Sequence, residues 1–118
     1  MDFSIDAKLE RDQAKVSAFV ADHVLPLESD VKNYDSFGNI DITVLKSLRS
    51  SVKKAGLWSP QISVEQGGLG YGPIGMAVLY EAMNYSIFGP VAFNCAAPDD
   101  GNMYLLNKVA TRKQKDRW

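Results

Sequence analysis

Residues 65–75 read EQGGLGYGPIG and contain five of the nine glycines in this chain of 118 residues. Inside this stretch, residues 70–75 spell G-x-G-x-x-G, the pattern of loops that bind the pyrophosphate of a dinucleotide. Such a site also requires a strand before the first glycine, a helix after the last one, and an acidic residue about 20 residues further on. The sequence on both sides therefore decides between a phosphate-binding loop and a simple connection.

The sequence before the glycine-rich stretch begins with a strongly helical pattern. Between Asp6 and Tyr34, apolar residues recur at spacings of three, four and seven, which is typical of one long helix. Pro26 should kink or divide this helix, because proline removes one backbone donor and crowds the preceding turn. The apolar face consists of Leu9, Val16, Phe19, Val20, Val24, Leu27, Val31 and Tyr34.

Two further helices are predicted to flank the glycines. One starts after a cap at Asp41 or Thr43 and ends at Gly56. The other begins at Pro73, a residue favoured in the first helical turn, and extends towards Ile87. The apolar faces are Leu45, Leu48, Val52 and Ala55 in the first of these helices, and Met76, Leu79, Tyr80 and Met83 in the second.

The last part of the chain predicts additional helices. Residues 91–97 are apolar and fit either a strand or a buried helix, and Asp99 and Asp100 are the predicted caps of the helix that follows. Its apolar positions are Met103, Leu105, Leu106 and Val109. Residues 111–114 have the Thr-x-x-Gln form of a capping box, which indicates another helix start. Because a helix shorter than about 12 residues is marginal in isolation, we expect the protein to continue beyond Trp118.

The dinucleotide interpretation of the glycine-rich stretch has arguments on both sides. Residues 57–64 and 91–95 could supply two strands, and Asp99 stands near the expected distance from the glycines. Against it, residues 65–69 separate the first strand from the motif, and Pro60 interrupts that strand. We therefore favour a compact connecting loop and keep a dinucleotide-binding module as the minor alternative. In the loop interpretation, the glycines that serve the backbone conformation are Gly67, Gly68, Gly70 and Gly72.

The composition argues against several kinds of binding site and against a membrane span. Thirteen Lys and Arg against fourteen Asp and Glu, without a basic cluster before residue 112, do not predict a nucleic-acid surface. Cys95 and His23 are each the only residue of their type, so we expect neither a disulfide nor a metal site. No apolar run is long enough to span a membrane. These features predict one soluble domain in a reducing, intracellular compartment.

Three motifs occur in a fixed order, the first of them in two parts. Residues 55–60 read AGLWSP and are followed by EQGGLG at residues 65–70, LYEAM at residues 79–83 and VATRKQKDRW at residues 109–118. Together they resemble the N-terminal helical domain of acyl-CoA dehydrogenases, with its G-L-hydrophobic and P-x-x-x-G-G-x-G elements and its G-T-x-x-Q-K-x-x-W/Y segment. Ala110 replaces the usual glycine of that last segment.

The resemblance covers nearly the whole chain and implies a fold. Residues 1–118 are expected to form the N-terminal α-helical domain of such an enzyme. The implied fold is all-α, an orthogonal or up-down bundle of about five helices with the glycine-rich loop between helices two and three.

The resemblance also implies the activity of the whole protein. Members of this family use FAD to oxidise an acyl-CoA thioester between its α and β carbons and pass the electrons to an electron-transfer flavoprotein. The catalytic glutamate and most flavin contacts belong to β and C-terminal domains, so we assign no catalytic, cofactor-binding or metal residue here and expect this segment alone to be inactive and free of FAD. A homo-oligomer is expected, in the cytoplasm of a bacterium or in the mitochondrial matrix or peroxisome of a eukaryote.

One region is expected to touch the substrate. In the family, the helix after a Gly-Pro turn forms one wall of the acyl-chain pocket, and the matching residues here are Phe93, Asn94, Ala97 and Pro98. Small apolar side chains in residues 91–97 agree with room for methylene groups, but they agree equally well with a buried helix of the domain core.

A second class of function stays open. The chain could be a stand-alone helical interaction domain whose apolar face docks on a partner. In either case we expect exposed apolar surface to drive self-association, with a contribution from residues 111–118, where Trp118 has no following turn to cover it.

Overall fold

The computed structural model describes residues 4–117, which form six α-helices and no β-strand. Their bounds are α1 Ala7–Phe19, α2 Ile42–Lys54, α3 Pro73–Met83, α4 Gly89–Ala92, α5 Asp99–Val109 and α6 Arg112–Lys115. The prediction of an all-α fold with a glycine-rich loop between the second and third helices is confirmed.

The predicted proline break lies after a change in helix type. Beyond α1, Val20–Val24 form a π-helical turn, and Leu25–Ser29 form a 3₁₀ turn. The N–H of Leu25 donates to the carbonyl of Val20, five residues earlier. Pro26 follows at once and has no N–H to continue α-helical hydrogen bonding, so the helix tightens and ends.

The prediction of one helix from Asp6 to Tyr34 is therefore wrong in its second half. Asp6 does cap α1, since its Oδ1 accepts from the N–H groups of residues 8 and 9 at 2.9 Å. Val31–Asn33 instead form a separate 3₁₀ turn, and Val31 is 83% exposed although the periodicity placed it on the apolar face. A spacing of three or four residues places side chains on one face only in an α-helix, so it does not predict burial where the backbone leaves the α-helix.

The core lies between α1, α2, α3 and α4. Phe19 of α1 meets Phe93 edge-to-face, with ring centroids 5.6 Å apart. The largest fully buried apolar side chains are Phe93, Leu79, Met83, Val16, Val20, Val24 and Val52. Burying a side chain of this size stabilises the fold by about 1.5–3 kcal/mol, so this cluster is the main source of stability.

The second helix follows its prediction closely. Asp41 is the cap, and its Oδ1 accepts from the N–H of Thr43 at 2.8 Å. The predicted face is buried at Leu45, Leu48 and Val52, whereas Ala55 lies just beyond the helix and is exposed.

The third helix is shorter than predicted because a distant carboxylate captures the turn that follows it. The Oε1 of Glu28 accepts from the Oγ of Ser86 at 2.5 Å and from the N–H of Ile87 at 2.9 Å. The helix ends at Met83, and Ile87 is 69% exposed. Residues 91–97 then form the end of α4 and a series of turns, not a strand.

The fifth helix, like α6 and unlike α1 to α4, has no buried residue. It begins at Asp99 after Pro98, so Asp99 and Asp100 lie in its first turn and not at the cap position as predicted. Leu105 is 57% exposed and Val109 is 70% exposed. The α5 helix thus lies on the surface of the bundle.

The predicted capping box precedes α6. Thr111 Oγ1 accepts from the N–H of Gln114 at 3.4 Å, and Gln114 Oε1 accepts from the N–H of Thr111 at 2.8 Å. Trp118, which we expect to contribute to self-association, lies outside the described residues.

The glycine-rich loop folds back on the chain that precedes it. The N–H groups of Gly67, Gly68, Gly70 and Tyr71 donate to the carbonyls of Val64, Ser63, Ile62 and Pro60 at 2.8–3.0 Å. Gly67 and Gly70 have φ of 88° and 72°, a region that favours glycine. The prediction of a compact loop with positive-φ glycines is confirmed at these two positions, whereas Gly72 has an unexceptional φ of −78°.

Gly68 is required for a different reason, which is lack of space. A Cβ atom at this position would overlap the carbonyl oxygens of Ile62 and Ser59, whereas a Cβ at Gly72 would meet no atom within 4 Å. We predict that Gly68→Ala lowers the free energy of unfolding by about 2 kcal/mol or more. Gly72→Ala, the matched control, should change it by less than about 1 kcal/mol. Urea unfolding followed by circular dichroism measures both values, and equal effects would contradict this explanation.

Tyr71 anchors the loop to α1. Its hydroxyl donates to Asp12 Oδ2 at 2.7 Å and accepts from Lys8 Nζ at 2.7 Å, and Lys15 Nζ lies 3.0 Å from Asp12 Oδ1. Burial acts to raise the pKa of Asp12, but the hydrogen bonds from Tyr71, Lys15 and Lys8 outweigh it and lower the pKa to about 2. The ionised carboxylate therefore stabilises the folded state.

The lowered pKa of Asp12 predicts how stability depends on pH. Because the pKa falls from 3.8 to about 2 on folding, the stabilisation is fully present above pH 3.8 and is lost as the pH falls through about 2. We predict that Asp12→Asn reduces the free energy of unfolding by about 2 kcal/mol at neutral pH, and that the difference from wild type shrinks below pH 3.8. Asp22→Asn, at an exposed aspartate, is the control and should change stability by about 0.5 kcal/mol or less. A difference that does not vary with pH would contradict the role of the Asp12 charge.

Candidate functional site

A cleft of about 250 Å³ lies between the glycine-rich loop and the α5–α6 segment. We call it the α5 cleft. Its lining residues are Trp58, Ser59, Ile62, Gln66, Asn94, Met103, Leu106, Asn107 and Lys115. The surface of these residues is mainly apolar, with amide groups and one lysine among them.

Two strained residues form one wall of the cleft. Ser59 and Asn94 have φ of 47° and 63°, the left-handed region that L-residues seldom adopt. The two residues support one another, because Asn94 Nδ2 donates to Ser59 Oγ at 2.8 Å and the N–H of Ser59 donates to the carbonyl of Phe93 at 3.0 Å. Both are buried, at 3% and 9% exposure. Strain of this kind persists only where the surroundings fix it, and it is enriched at functional sites.

Gln61 completes the support behind this wall. Its Nε2 donates to the carbonyl of Asn94 at 2.8 Å, and its Oε1 accepts from the Sγ of Cys95 at 3.2 Å. Burial raises the pKa of the Cys95 thiol to about 12. A thiol held neutral in this way is not a nucleophile, and Cys95 is a small buried residue of the core.

The opposite wall is formed by α5 and α6. Gln66 and Asn107 exchange a pair of side-chain hydrogen bonds, with Gln66 Nε2 to Asn107 Oδ1 at 2.7 Å and Asn107 Nδ2 to Gln66 Oε1 at 3.1 Å. Lys115 Nζ donates to the carbonyl of Asn107 at 2.6 Å. Asn94 Nδ2 also lies 3.3 Å from the Sδ of Met103. These contacts join α5 to the loop with polar groups and not with a buried apolar face.

The charges around the cleft are mostly positive. Among its lining residues, Lys115 is the only charged one. Trp58 carries two further cations on its ring, with Lys53 Nζ at 4.3 Å and the Arg49 guanidinium carbon at 5.8 Å from the ring centroid. The carboxylate of Asp99 lies 4.0 Å from the Arg49 guanidinium. The mouth of the cleft therefore favours an anion.

The structure separates the four residues predicted to line an acyl pocket. Asn94 lies in the wall of the α5 cleft. Phe93 is fully buried in the core. Ala97 lines a different groove, beside Ile40 and Phe88, and Pro98 is an exposed residue at the start of α5.

Sequence reasoning did not assign most of the cleft. Trp58 stood in a recognised motif, and Met103 and Leu106 stood on a predicted apolar face, but no pattern indicated that they meet. No local pattern marked Ser59 or Gln66 as a site residue, because a left-handed serine and a pair of hydrogen-bonded side-chain amides are produced by tertiary contacts.

Other kinds of site find no support in the described part of the chain. Of the motif glycines, Gly70 already donates its N–H to the carbonyl of Ile62, the neighbouring Gly67 and Gly68 donate to Val64 and Ser63, and no strand among the described residues leads into the loop. In residues 4–117, no three His, Cys, Asp or Glu side chains are placed to hold a metal ion. None of the helices described there has the length and hydropathy that crossing a membrane requires.

Comparison with known proteins gives consistent matches. The family model described as acyl-CoA dehydrogenase, N-terminal domain, matches residues 7–118. The chain is 35% identical over 125 residues to "Probable acyl-CoA dehydrogenase FadE2" of Mycobacterium tuberculosis, which covers 100% of this chain and 30% of that protein. It is 33% identical over 113 residues to "Acyl-CoA dehydrogenase family member 11" of Gallus gallus, which covers 88% of this chain and 14% of that protein.

A solved structure agrees with the sequence matches. The fold superposes on a "putative acyl-CoA dehydrogenase" from Mycobacterium abscessus with a TM-score of 0.82 and 30% identity, over 98% of this chain and 31% of that one. The chain thus spans less than a third of the length of these relatives.

Proposed function

Because the chain belongs to the acyl-CoA dehydrogenase family through its N-terminal domain, we propose that it serves in a flavin-dependent enzyme that oxidises an acyl-CoA thioester between its α and β carbons. The observation that supports this most is the match of residues 7–118 to the N-terminal domain of that family, together with the fold shared over 98% of the chain. We propose that residues 1–118 constitute this domain. The activity belongs to the whole protein, because the chain spans only 30% of a relative such as FadE2.

The glycine-rich loop gives no support to FAD binding by this domain, because the N–H groups of Gly67, Gly68 and Gly70 are already bonded to carbonyls. We therefore propose that FAD binds to parts of the whole protein other than this domain, and we derive no chemical step through the flavin here.

We assign no catalytic residue to this domain. Glu28 has a structural role, because its carboxylate holds Ser86 and the N–H of Ile87. The proposed contribution of the domain is structure and part of the acyl pocket.

For the acyl pocket, we propose the region of Phe93, Asn94, Ala97 and Pro98. Asn94 supports this most directly, since it lies in an apolar cleft and its conformation is held by Ser59 and Gln61. Phe93 would act from the core by fixing the backbone of Asn94. Ala97 and Pro98 would contribute only through their exposed surface.

The partners follow from the proposed reaction. We propose an acyl-CoA substrate, an electron-transfer flavoprotein as the acceptor of electrons, and a homo-oligomeric enzyme. The compartment would be the cytoplasm in a bacterium, and the mitochondrial matrix or the peroxisome in a eukaryote.

The first test concerns the reaction. We predict that the protein expressed from its complete gene binds FAD, and that anaerobic addition of an acyl-CoA bleaches the absorbance of the oxidised flavin. The 118-residue chain alone should be colourless after gel filtration and should give a helical circular dichroism spectrum. A whole protein that lacks flavin, or whose flavin is not reduced by acyl-CoA thioesters of any length, would contradict the proposal.

A stand-alone interaction domain is the second candidate, and the exposed apolar side chains favour it. Phe37 is 87% exposed, Ile74 is 77% exposed and Tyr85 is 75% exposed, in addition to the outer face of α5. Exposed apolar surface of this extent is typical of proteins that pack against another domain or chain.

The second test concerns this surface. We predict that the 118-residue chain forms a concentration-dependent dimer or larger species, because association removes apolar surface from water. Deleting residues 111–118, or replacing Leu105 by Ser on the exposed face of α5, should weaken association, whereas Lys113→Gln should not. Sedimentation equilibrium measures the association constant. A monomer up to high micromolar concentration would contradict this prediction.

A further inference from the structure

We propose that the exposed side of α2 is a docking surface for an anionic lipid bilayer, on which its lysines and hydroxyl groups contact the lipid phosphates. We call this surface the α2 face, and it is defined by Thr43, Lys46, Ser47, Ser50, Lys53 and Lys54. The inference goes beyond the proposed function, because it concerns where the protein is held and not the reaction that it catalyses.

The α2 face carries cations and no carboxylate. The exposed residues of α2 are three lysines, three serines, Thr43 and Ile42. Residues 42–64 contain four Lys and Arg and no Asp or Glu, whereas the remainder of the chain has nine basic and fourteen acidic residues. The exposed surfaces of α1 and α5, in contrast, carry charges of both signs. A chain with a net charge of −1 thus presents a positive surface on α2.

The spacing of the lysines places them side by side on the helix. Lys46, Ser50 and Lys54 follow one another at intervals of four residues, so they form one row on the helix surface. Lys53 lies two turns after Lys46 and borders the same row. At 1.5 Å per residue, the row from Lys46 to Lys54 is about 12 Å long. A row of this length allows the lysines to contact separate phosphate groups at the same time.

Within residues 4–117, no carboxylate forms an ion pair with the lysines of the α2 face. At the edge of the face, Asp99 lies 4.0 Å from the Arg49 guanidinium. The carboxylate of Asp41 is engaged by two N–H groups of the first turn of α2. Lys53 Nζ lies 4.3 Å from the centre of the Trp58 ring, a contact that leaves its charge in place. An approaching anion therefore meets lysines that no internal carboxylate neutralises.

The composition of the α2 face favours a lipid surface over a protein or a nucleic acid. Stable protein interfaces centre on aromatic or large apolar side chains, but the only large apolar side chain exposed on α2 is Ile42, at the end of the helix. Nucleic-acid-binding proteins typically contact about 6–10 phosphates, for which three lysines are few. Adsorption to an anionic bilayer requires no apolar anchor, because each lysine near the surface contributes separately. The hydroxyl groups add donors for phosphate oxygens.

The first experiment measures co-sedimentation with lipid vesicles, using the protein expressed from its complete gene. We expect binding to phosphatidylcholine vesicles that contain about 30% phosphatidylglycerol to be about 100-fold stronger than binding to phosphatidylcholine alone, since each of three lysines contributes about fivefold. Raising the NaCl concentration from about 0.05 M to about 0.5 M should abolish this binding, because salt screens the attraction. Equal binding to both kinds of vesicle, or binding to neither, would overturn the proposal.

Variants that each remove one charge locate the surface. Lys46→Gln and Lys54→Gln should each weaken binding to the anionic vesicles about fivefold. Arg11→Gln, the matched control, removes an exposed cation of α1 and should change the binding less than about twofold. Equal losses in all three variants would mean that net charge and not the α2 face attracts the bilayer. Unchanged binding in both lysine variants would mean that another part of the whole protein binds the vesicles, and it would contradict the proposal.

A substitution inside the lysine row gives an independent test. Ser50→Glu places a carboxylate one turn from both Lys46 and Lys54, so it should weaken vesicle binding at least about tenfold. Ser50→Gln, its neutral counterpart, should change binding less than about twofold, and circular dichroism shows whether both variants are folded. Retention on a DNA duplex or on polyglutamate that depends on Lys46, without binding to vesicles, would assign the face to another polyanion and overturn the proposal. Flavin reduction by acyl-CoA is a separate measurement, so failure of the two proposals is distinguishable.

Discussion

The carboxylate of Glu28 is the contact on which the second half of the fold depends. It holds the hydroxyl of Ser86 and the N–H of Ile87, and Ser86 is almost fully buried. This contact fixes the turn that ends α3 and therefore the direction in which α4 leaves. Because α4 leads directly into Phe93, the same contact decides that this ring enters the core against Phe19. A carboxylate far away in the sequence thus sets the geometry of the residues around the candidate site.

The pair formed by Ser59 and Asn94 connects the buried Phe93 to the wall of the α5 cleft. Each adopts a backbone conformation unfavourable by roughly 1–2 kcal/mol for an L-residue, and each is held by the other and by the core behind it. The glycine-rich loop approaches from the other side, and the N–H groups of Gly67, Gly68 and Gly70 donate to carbonyls of the preceding chain. The result is an apolar wall beside a compact connecting loop, which the sequence favoured over a nucleotide-binding loop.

The uneven distribution of stability relates the fold to its proposed roles. Helices α1 to α4 share a closely packed core, whereas α5 and α6 are attached through amides, a lysine and a thioether. Polar attachments of this kind contribute little net free energy, since water competes for every hydrogen bond. The α5–α6 segment is therefore the part of the described fold with the weakest attachment to the core.

The sequence by itself determined the helical class, the buried faces of α1, α2 and α3, a cap at Asp41 or Thr43, the capping box at Thr111, the loop between α2 and α3, and the family. These features depend on local periodicity, local hydrogen bonds and ordered motifs. Tertiary structure decided where α3 ends, why Gly68 must be glycine, and which residues line the α5 cleft. Periodicity counted Val31, Leu105 and Val109 as apolar-face residues, yet they are exposed, because burial requires a partner surface that a one-dimensional pattern does not contain. Of the four residues predicted to line the acyl pocket, Asn94 alone lines this cleft. The direction of a side chain depends on the backbone strain and the long-range contacts around it, and not on its place in a motif.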